Sequence, residues 1–293
     1  MIPLRSKSGL IYAESKKMKD LQKLAYELRM NVIDMIVNGK GGHIGGDMSV
    51  MDTLVALYFK EMNISVENFN APGHDHFVMS KGHSVESLYA VLAKKGFFPM
   101  ERVLKEFSQF GSPFIGHPNN KLPGIEMNSG ALGHGLPVAV GMAIAERMNG
   151  SDSRVYVVMG DGEQAEGSVW EGAMSAANYR LDNLCAVLDR NRLQISGCTE
   201  DVMALDDLHK KWDSFGWHVI DVKDGNDIGQ LLAAFEEARM VKGKPSVLIA
   251  NTIKGKGSPV MENKASWHHH VPTSEEYAQI MKDLGQRAAE ENL

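Results

Sequence analysis

Two polar residues thirty positions apart carry the strongest chemical signal in the sequence. Asp161 stands between Gly160 and Gly162 after the apolar, β-branched run 154–159, and Asn191 ends Asp189-Arg190-Asn191 after a second apolar run, 184–188. An amphipathic segment separates the runs, so the order reads strand, loop, helix, strand. In a βαβ unit the two strands are parallel, and both residues leave the sheet at the carboxyl edge where α/β folds bind ligands. One carboxylate, one amide carbonyl and a nearby backbone carbonyl would give Mg²⁺ part of an oxygen octahedron, with Ca²⁺ or Mn²⁺ as substitutes, and leave places for phosphate oxygens and water. Leu193 is the candidate carbonyl donor. Gly160 and Gly162 let the backbone approach a diphosphate closely, and the helix that follows would turn N–H groups and its positive dipole end toward the anion.

The elements that must position this unit follow from periodicity. Leu21, Leu24, Ala25, Leu28, Val32 and Met35 recur at helical spacing, and Asn38-Gly39 ends that helix before the glycine-dense loop GKGGHIGGD. Ser49 with Asp52 predicts the cap of the next helix. Residues 75–79 predict a short strand, Ser80-Lys81-Gly82-His83 the loop at its carboxyl end, and 84–95 a helix closed by Gly96. The segment 107–128 is too punctuated by Gly, Pro and Asn for regular structure and predicts an active-site loop. Small residues from Ser129 to Ala145 suit a helix packed closely against another backbone, with Pro137 in its first turn. Beyond Asn191, helix 208–216, strand 218–222, helix 228–241 and strand 246–251 alternate, and Thr273 with Glu276 forms a capping box. The alternation predicts a three-layer α/β/α sandwich with a mainly parallel sheet, one domain over residues 1–293.

Composition narrows the function classes. The chain has 43% apolar residues, enough for a full core, and a formal net charge of −6 without a lysine or arginine run, which argues against a nucleic-acid partner. No apolar run reaches membrane length, and the start MIPLRSKSGL lacks the apolar stretch of a signal peptide. Two cysteines, Cys185 in an apolar strand and Cys198 after a glycine, fit a reducing compartment. A cytoplasmic protein is expected.

Of the eleven histidines, His43, His83, His117, His134 and His268 sit in loops, most of them glycine-bearing. Each alone reads as a surface or hydrogen-bonded structural residue. Gathered at one sheet edge, they would line a pocket with side chains that donate to, accept from and exchange protons with sugar hydroxyls near neutral pH. His76, in a strand, and His74 and His218, beside strands, read as structural. The run His268-His269-His270 cannot turn all three rings toward one ion.

GGHIGG around His43, SKGHS around His83, GHP at His117, LGHG at His134, the GDG-to-Asn191 unit, DRNRLQISG, GWHVI near His218, TIKGKG at Lys254 and SWH at His268 resemble, in this order, the amino-terminal diphosphate-binding domain of transketolase. Pyruvate dehydrogenase-like and deoxyxylulose-phosphate synthase-like proteins share the GDG-to-Asn unit and fit the rest less well. The resemblance implies a thiamine diphosphate (ThDP)-binding fold, with the metal held by Asp161, Asn191 and the Leu193 carbonyl. It places His83 and His268 near the diphosphate, with His269 as the alternative under a one-residue shift, and His43 and His117 over the thiazolium, facing the sugar. It makes His43, His117 and His268 the catalytic candidates. Gly130 and Leu132 would touch the cofactor's ring region, and Glu166 would join a carboxylate network at a subunit interface. His134 stands where many full-length members have glutamine. The implied reaction transfers a two-carbon glycolaldehyde unit from a ketose to an aldose, of the kind used in the pentose phosphate pathway. Family members supply the pyrimidine-binding glutamate from a second domain. The resemblance therefore extends to the amino-terminal subunit of a split transketolase, working with a separate carboxyl-terminal subunit in an α2β2 assembly. The alternatives are part of another ThDP enzyme, one that uses a modified sugar or 2-oxoacid, and a noncatalytic ThDP-binding homologue.

Overall fold

The computed structural model describes residues 7–291, with side chains from residue 16 onward; the outermost residues of the expected 1–293 domain lie outside the described residues. The described residues begin with α1 (Lys7–Gly39), which ends at Gly39 as the Asn38-Gly39 pair predicted, followed by α2 (Ile44–Ala56), which runs on through a π-turn. Strand β1 (His76–Met79), α3 (Val85–Lys95), α4 (Met100–Glu106) and α5 (Gly135–Met148) come next. The central unit is β2 (Val155–Gly160), α6 (Gly167–Asn178) and β3 (Leu184–Arg190). It is followed by the short α7 (Thr199–Val202), α8 (Leu208–Ser214), β4 (His218–Val222), α9 (Ile228–Met240), β5 (Ser246–Asn251) and α10 (Ser274–Glu290).

The five strands form one wholly parallel sheet in the order β1-β2-β3-β5-β4. Parallel strands need covered faces, and alternate side chains of the strands serve two separate cores. Tyr156, Val158, Cys185, Val187 and Leu248 pack beneath α1, α2, α9 and α10, while Val155, Val157, Met159, Ala186 and Leu188 pack beneath α5, α6 and α8. This is the expected three-layer sandwich. Register places Gly160 opposite Asp189, so the turns carrying Asp161 and Asn191 leave the sheet side by side.

Two local expectations need adjustment. Ser49 does not cap α2: the helix begins at Ile44, inside the glycine-rich segment, and Ser49 is fully buried in mid-helix. Glycine disfavours helix, yet here close packing decides, because a Cβ on Gly45 would come within 2.9 Å of the Trp267 carbonyl and one on Gly46 within 2.8 Å of the Ser84 hydroxyl. The GDG turn is followed first by a 3₁₀ turn, Gly162–Ala165, and only then by α6. The other signals hold. Gly96 closes α3 with φ 98°, the segment 107–128 contains no extended regular element, and Thr273 and Glu276 form a complete capping box on α10. Pro137 falls in the first turn of α5, whose Gly135 lies so near Ser80 that any Cβ would overlap it. Cys185 is buried and Cys198 partly so, both free. No helix among the described residues is long and apolar enough to cross a membrane.

Candidate active site

At the carboxyl edge of the sheet, the turns after β1, β2, β3 and β5 and the start of α2 enclose a cavity of about 370 Å³. Its floor is a buried polar junction centred on Asp189, the penultimate residue of β3. The Asp189 carboxylate accepts hydrogen bonds from Ser49 Oγ (2.6 Å), from Asn191 Nδ2 (3.2 Å), and from the Lys81 ammonium and the Thr252 hydroxyl. Burial by itself would push this carboxyl up; Lys81 overcomes that and holds it below the usual range. Asp161 accepts from the backbone N–H of Gly162 (2.8 Å) and of Arg192 (2.5 Å) and from Arg190 Nη1 (3.3 Å). The Asn191 amide oxygen accepts from the Leu193 N–H at 3.2 Å. Asp161, Asn191 and Leu193 thus bring a carboxylate, an amide oxygen and a backbone carbonyl to the same cavity wall.

A buried cation faces them. Lys254 is 2% exposed, and its ammonium donates to the Leu193 carbonyl (2.8 Å) and meets His268 Nδ1 (2.8 Å), with no carboxylate among the described residues in direct contact. Burial, reinforced by Lys81, lowers its pKa to about 8. Four more histidine rings surround His43: His269 at 4.2 Å between centroids, His83 at 5.3 Å, His268 at 5.6 Å and His117 at 5.9 Å. Burial and the neighbouring rings depress His43 to about 4, burial and Lys254 depress His268 to about 3, and burial puts His83 well below its usual value and lowers His117. At neutral pH these four rings are neutral, each able to donate from one nitrogen and accept at the other. His43 Nδ1 is buried without a hydrogen-bond partner. A pocket with a charged lysine in direct contact with no carboxylate, an orphaned imidazole nitrogen and three oxygen ligands suits an anion bound with a divalent cation.

Residues 21–292 match the family model described as transketolase, thiamine diphosphate binding domain. The chain belongs to the transketolase family. It is 47% identical over 259 residues to an apulose-4-phosphate transketolase subunit of Phocaeicola vulgatus, a match covering 88% of this chain and 92% of the relative. It is 40% identical to the 6-deoxy-6-sulfo-D-fructose transketolase subunit SqwG of Clostridium sp., covering 94% of this chain and all of the relative. The solved Campylobacter jejuni transketolase superposes with a TM-score of 0.85 at 28% identity over 92% of this chain. The chain spans 42% of that structure's length.

Ten of the candidate site residues line the cavity: His43, His83, Gly130, Leu132, Gly160, Asp161, Gly162, Asn191, Leu193 and His268. His117 stands at its rim, against Gly130, where an added Cβ would lie 3.2 Å from the ring. His268 and His269 both face His43, whereas His270 turns away to bond Glu276 at 2.7 Å. His134 is exposed at the N-cap of α5, and Glu166 is exposed at the N-cap of α6, outside the cavity lining. Glu163, three residues before Glu166, is a second buried carboxylate in the wall beside Asp161; it accepts from the Ser80 hydroxyl and from the N–H groups of Gly133 (2.7 Å) and Gly160 (3.1 Å), tying three turns together. Nothing local in the sequence assigns a role to Glu163, Lys81, Lys254 or Asp189. Lys254, between Ile253 and Gly255 in TIKGKG, reads locally like any solvated loop lysine; its burial is set by the tertiary fold.

Proposed function

We propose that this chain is the amino-terminal, diphosphate-binding subunit of a two-subunit transketolase, transferring a two-carbon glycolaldehyde unit from a ketose or ketose phosphate to an aldose or aldose phosphate. The observation that carries the reading is the buried Lys254 ammonium, without a carboxylate partner among the described residues, beside the Asp161, Asn191 and Leu193 oxygens and beneath a cluster of neutral histidines. When bound, ThDP supplies the electron sink needed to break and form carbon–carbon bonds next to a carbonyl. Asp161, Asn191 and the Leu193 carbonyl would hold the Mg²⁺, for which Ca²⁺ or Mn²⁺ could substitute, with Lys254, His83 and His268 around the diphosphate. Gly130 and Leu132 would contact the cofactor ring. His43 and His117 would hold the sugar hydroxyls and carry a proton to and from the reacting oxygen, a role that their neutral state permits. Glu166, exposed at the start of α6, would contact a neighbouring protomer.

The names of the relatives, each a subunit covered over 92% or more of its length, support a separate partner chain; that chain would supply the pyrimidine-binding domain. An α2β2 assembly in the cytoplasm is the arrangement we favour. They also favour a second reading of the substrate, a modified ketose in place of the ordinary pentose phosphate pathway sugars. The test is to supply ThDP, Mg²⁺ and a panel of ketose–aldose pairs to this chain alone and to the chain mixed with a candidate carboxyl-terminal subunit. Two-carbon transfer is expected only in the mixture; robust turnover by the chain alone would overturn the two-subunit reading.

A further inference from the structure

A second group of imidazoles and carboxylates lies at the opposite, amino-terminal end of β1. His74 and His76 flank Asp75, whose carboxylate accepts from the backbone N–H of Asn63 (2.8 Å) and of Arg154 (2.8 Å) and so fixes this turn against the sheet. Both rings converge on one oxygen of Glu126, in the segment leading into α5: His74 Nε2 at 3.2 Å and His76 Nδ1 at 2.9 Å. The far nitrogens are also occupied. His74 Nδ1 meets the Ala71 carbonyl at 2.8 Å, and His76 Nε2 meets Glu146 of α5 at 3.3 Å. A carbonyl only accepts, so His74 Nδ1 carries a hydrogen, which leaves Nε2 as the nitrogen that could offer a lone pair to an ion beside Glu126. Two nitrogens directed at one carboxylate oxygen call for positive charge between them.

We propose that His74 Nε2, His76 Nδ1 and the Glu126 carboxylate form a binding site for a divalent transition-metal ion of the zinc class, separate from the diphosphate site. The spacing fits: bonds of ~2.0–2.1 Å in a tetrahedral site put adjacent ligand atoms about 3.3 Å apart, and the three ligand atoms lie within 4.8 Å of one another. The outer contacts fit too, because a ligating histidine ordinarily donates its other N–H to a carbonyl or carboxylate, the roles of Ala71 and Glu146. Two imidazoles and a carboxylate favour Zn²⁺, Co²⁺ or Cu²⁺ over Mg²⁺. The ion would pin the segment between His117 and α5 to the edge strand, fixing the loop that carries a rim residue of the cavity.

The test is calorimetric titration of the purified chain with Zn²⁺ in excess Mg²⁺, alongside Co²⁺ absorption to report tetrahedral coordination. His43, His268 and His269 form another group close enough to hold an ion, so His269→Gln serves as the control. One Zn²⁺ per chain should persist in His269→Gln, disappear in both His74→Gln and Glu126→Gln, and weaken about 10–100-fold in Glu146→Gln, an outer-contact change. Thermal unfolding without metal verifies that each variant is folded, and Zn²⁺ should raise the unfolding midpoint of wild type and His269→Gln but not of His74→Gln. Equal Zn²⁺ binding by wild type, His74→Gln and Glu126→Gln would overturn the proposal, as would loss of the tight site in His269→Gln.

Discussion

Replacing Lys254 with methionine should strengthen the fold of the unliganded chain and weaken its hold on diphosphate. The fall in the Lys254 pKa from 10.5 to about 8 corresponds, at ~1.4 kcal/mol per factor of ten in the ionisation constant, to roughly 3 kcal/mol of penalty for keeping the ammonium charged at pH 7. The folded pKa lies below the unfolded one. Below pH 8 the lysine is therefore charged in both states and folding carries the whole penalty; between 8 and 10.5 the penalty shrinks, and above 10.5 it is gone. Methionine removes it but leaves the Leu193 carbonyl and His268 Nδ1 without their donor, a loss of ~1–2 kcal/mol. The net expectation at pH 7 is a gain of about 1 kcal/mol, or roughly 2 °C in unfolding midpoint for a chain of this size, turning into a loss by pH 9.5. Inorganic pyrophosphate with Mg²⁺ probes the diphosphate half of the site alone, and losing a charged donor should weaken it by about 10–100-fold. Thermal unfolding at the two pH values and calorimetric titration supply both numbers. A methionine variant that is less stable at pH 7 and binds Mg²⁺-pyrophosphate as wild type does would refute the reasoning.

Two further substitutions separate metal holding from proton handling. Asp161→Ala should leave the chain folded, since Asp161 lies in a turn at the edge of the core, but abolish Mg²⁺-dependent ThDP binding; wild-type affinity by calorimetry would remove Asp161 from the metal site. His117→Ala should lower turnover of the reconstituted pair about 10²–10⁴-fold while barely changing ThDP affinity, because this ring stands at the cavity rim; the reverse pattern in a steady-state and binding comparison would exclude the assigned role.

The layer architecture was legible because each βα unit announces itself locally: an apolar run, a glycine-bearing turn and a helical stripe. The same locality made Asp161 and Asn191 readable as a pair, since parallel strands force both to one edge. What escaped was set by contacts remote in sequence. Ser49 resembled a helix cap because GKGGHIGGD resembles a loop, and nothing nearby signals that Gly45 and Gly46 are small to admit the Trp267 carbonyl and the Ser84 hydroxyl. Glu163 and Glu166 are three residues apart and chemically alike; only the fold turns one into the cavity wall and leaves the other exposed. The contact of His74 and His76 with Glu126, fifty residues downstream of His76, was likewise invisible to a local reading.

The junction at Asp189 has a consequence for how this chain reaches its native state. One carboxylate gathers Ser49, Lys81 and Thr252, partners 140, 108 and 63 residues away along the chain. A partly assembled intermediate that has closed β3 against β2 but not yet brought in α2 or β5 would enclose a bare carboxylate or a bare ammonium, each costly away from water. Such half-built species are penalised, so the cavity floor should form in a single late, cooperative step, and hydrogen exchange at Lys81, Asp189 and Thr252 should proceed at one common rate. Cutting or permuting the chain in an exposed loop between Ser49 and Thr252, away from the junction residues, would then lengthen the search for the cavity floor without altering the floor once made.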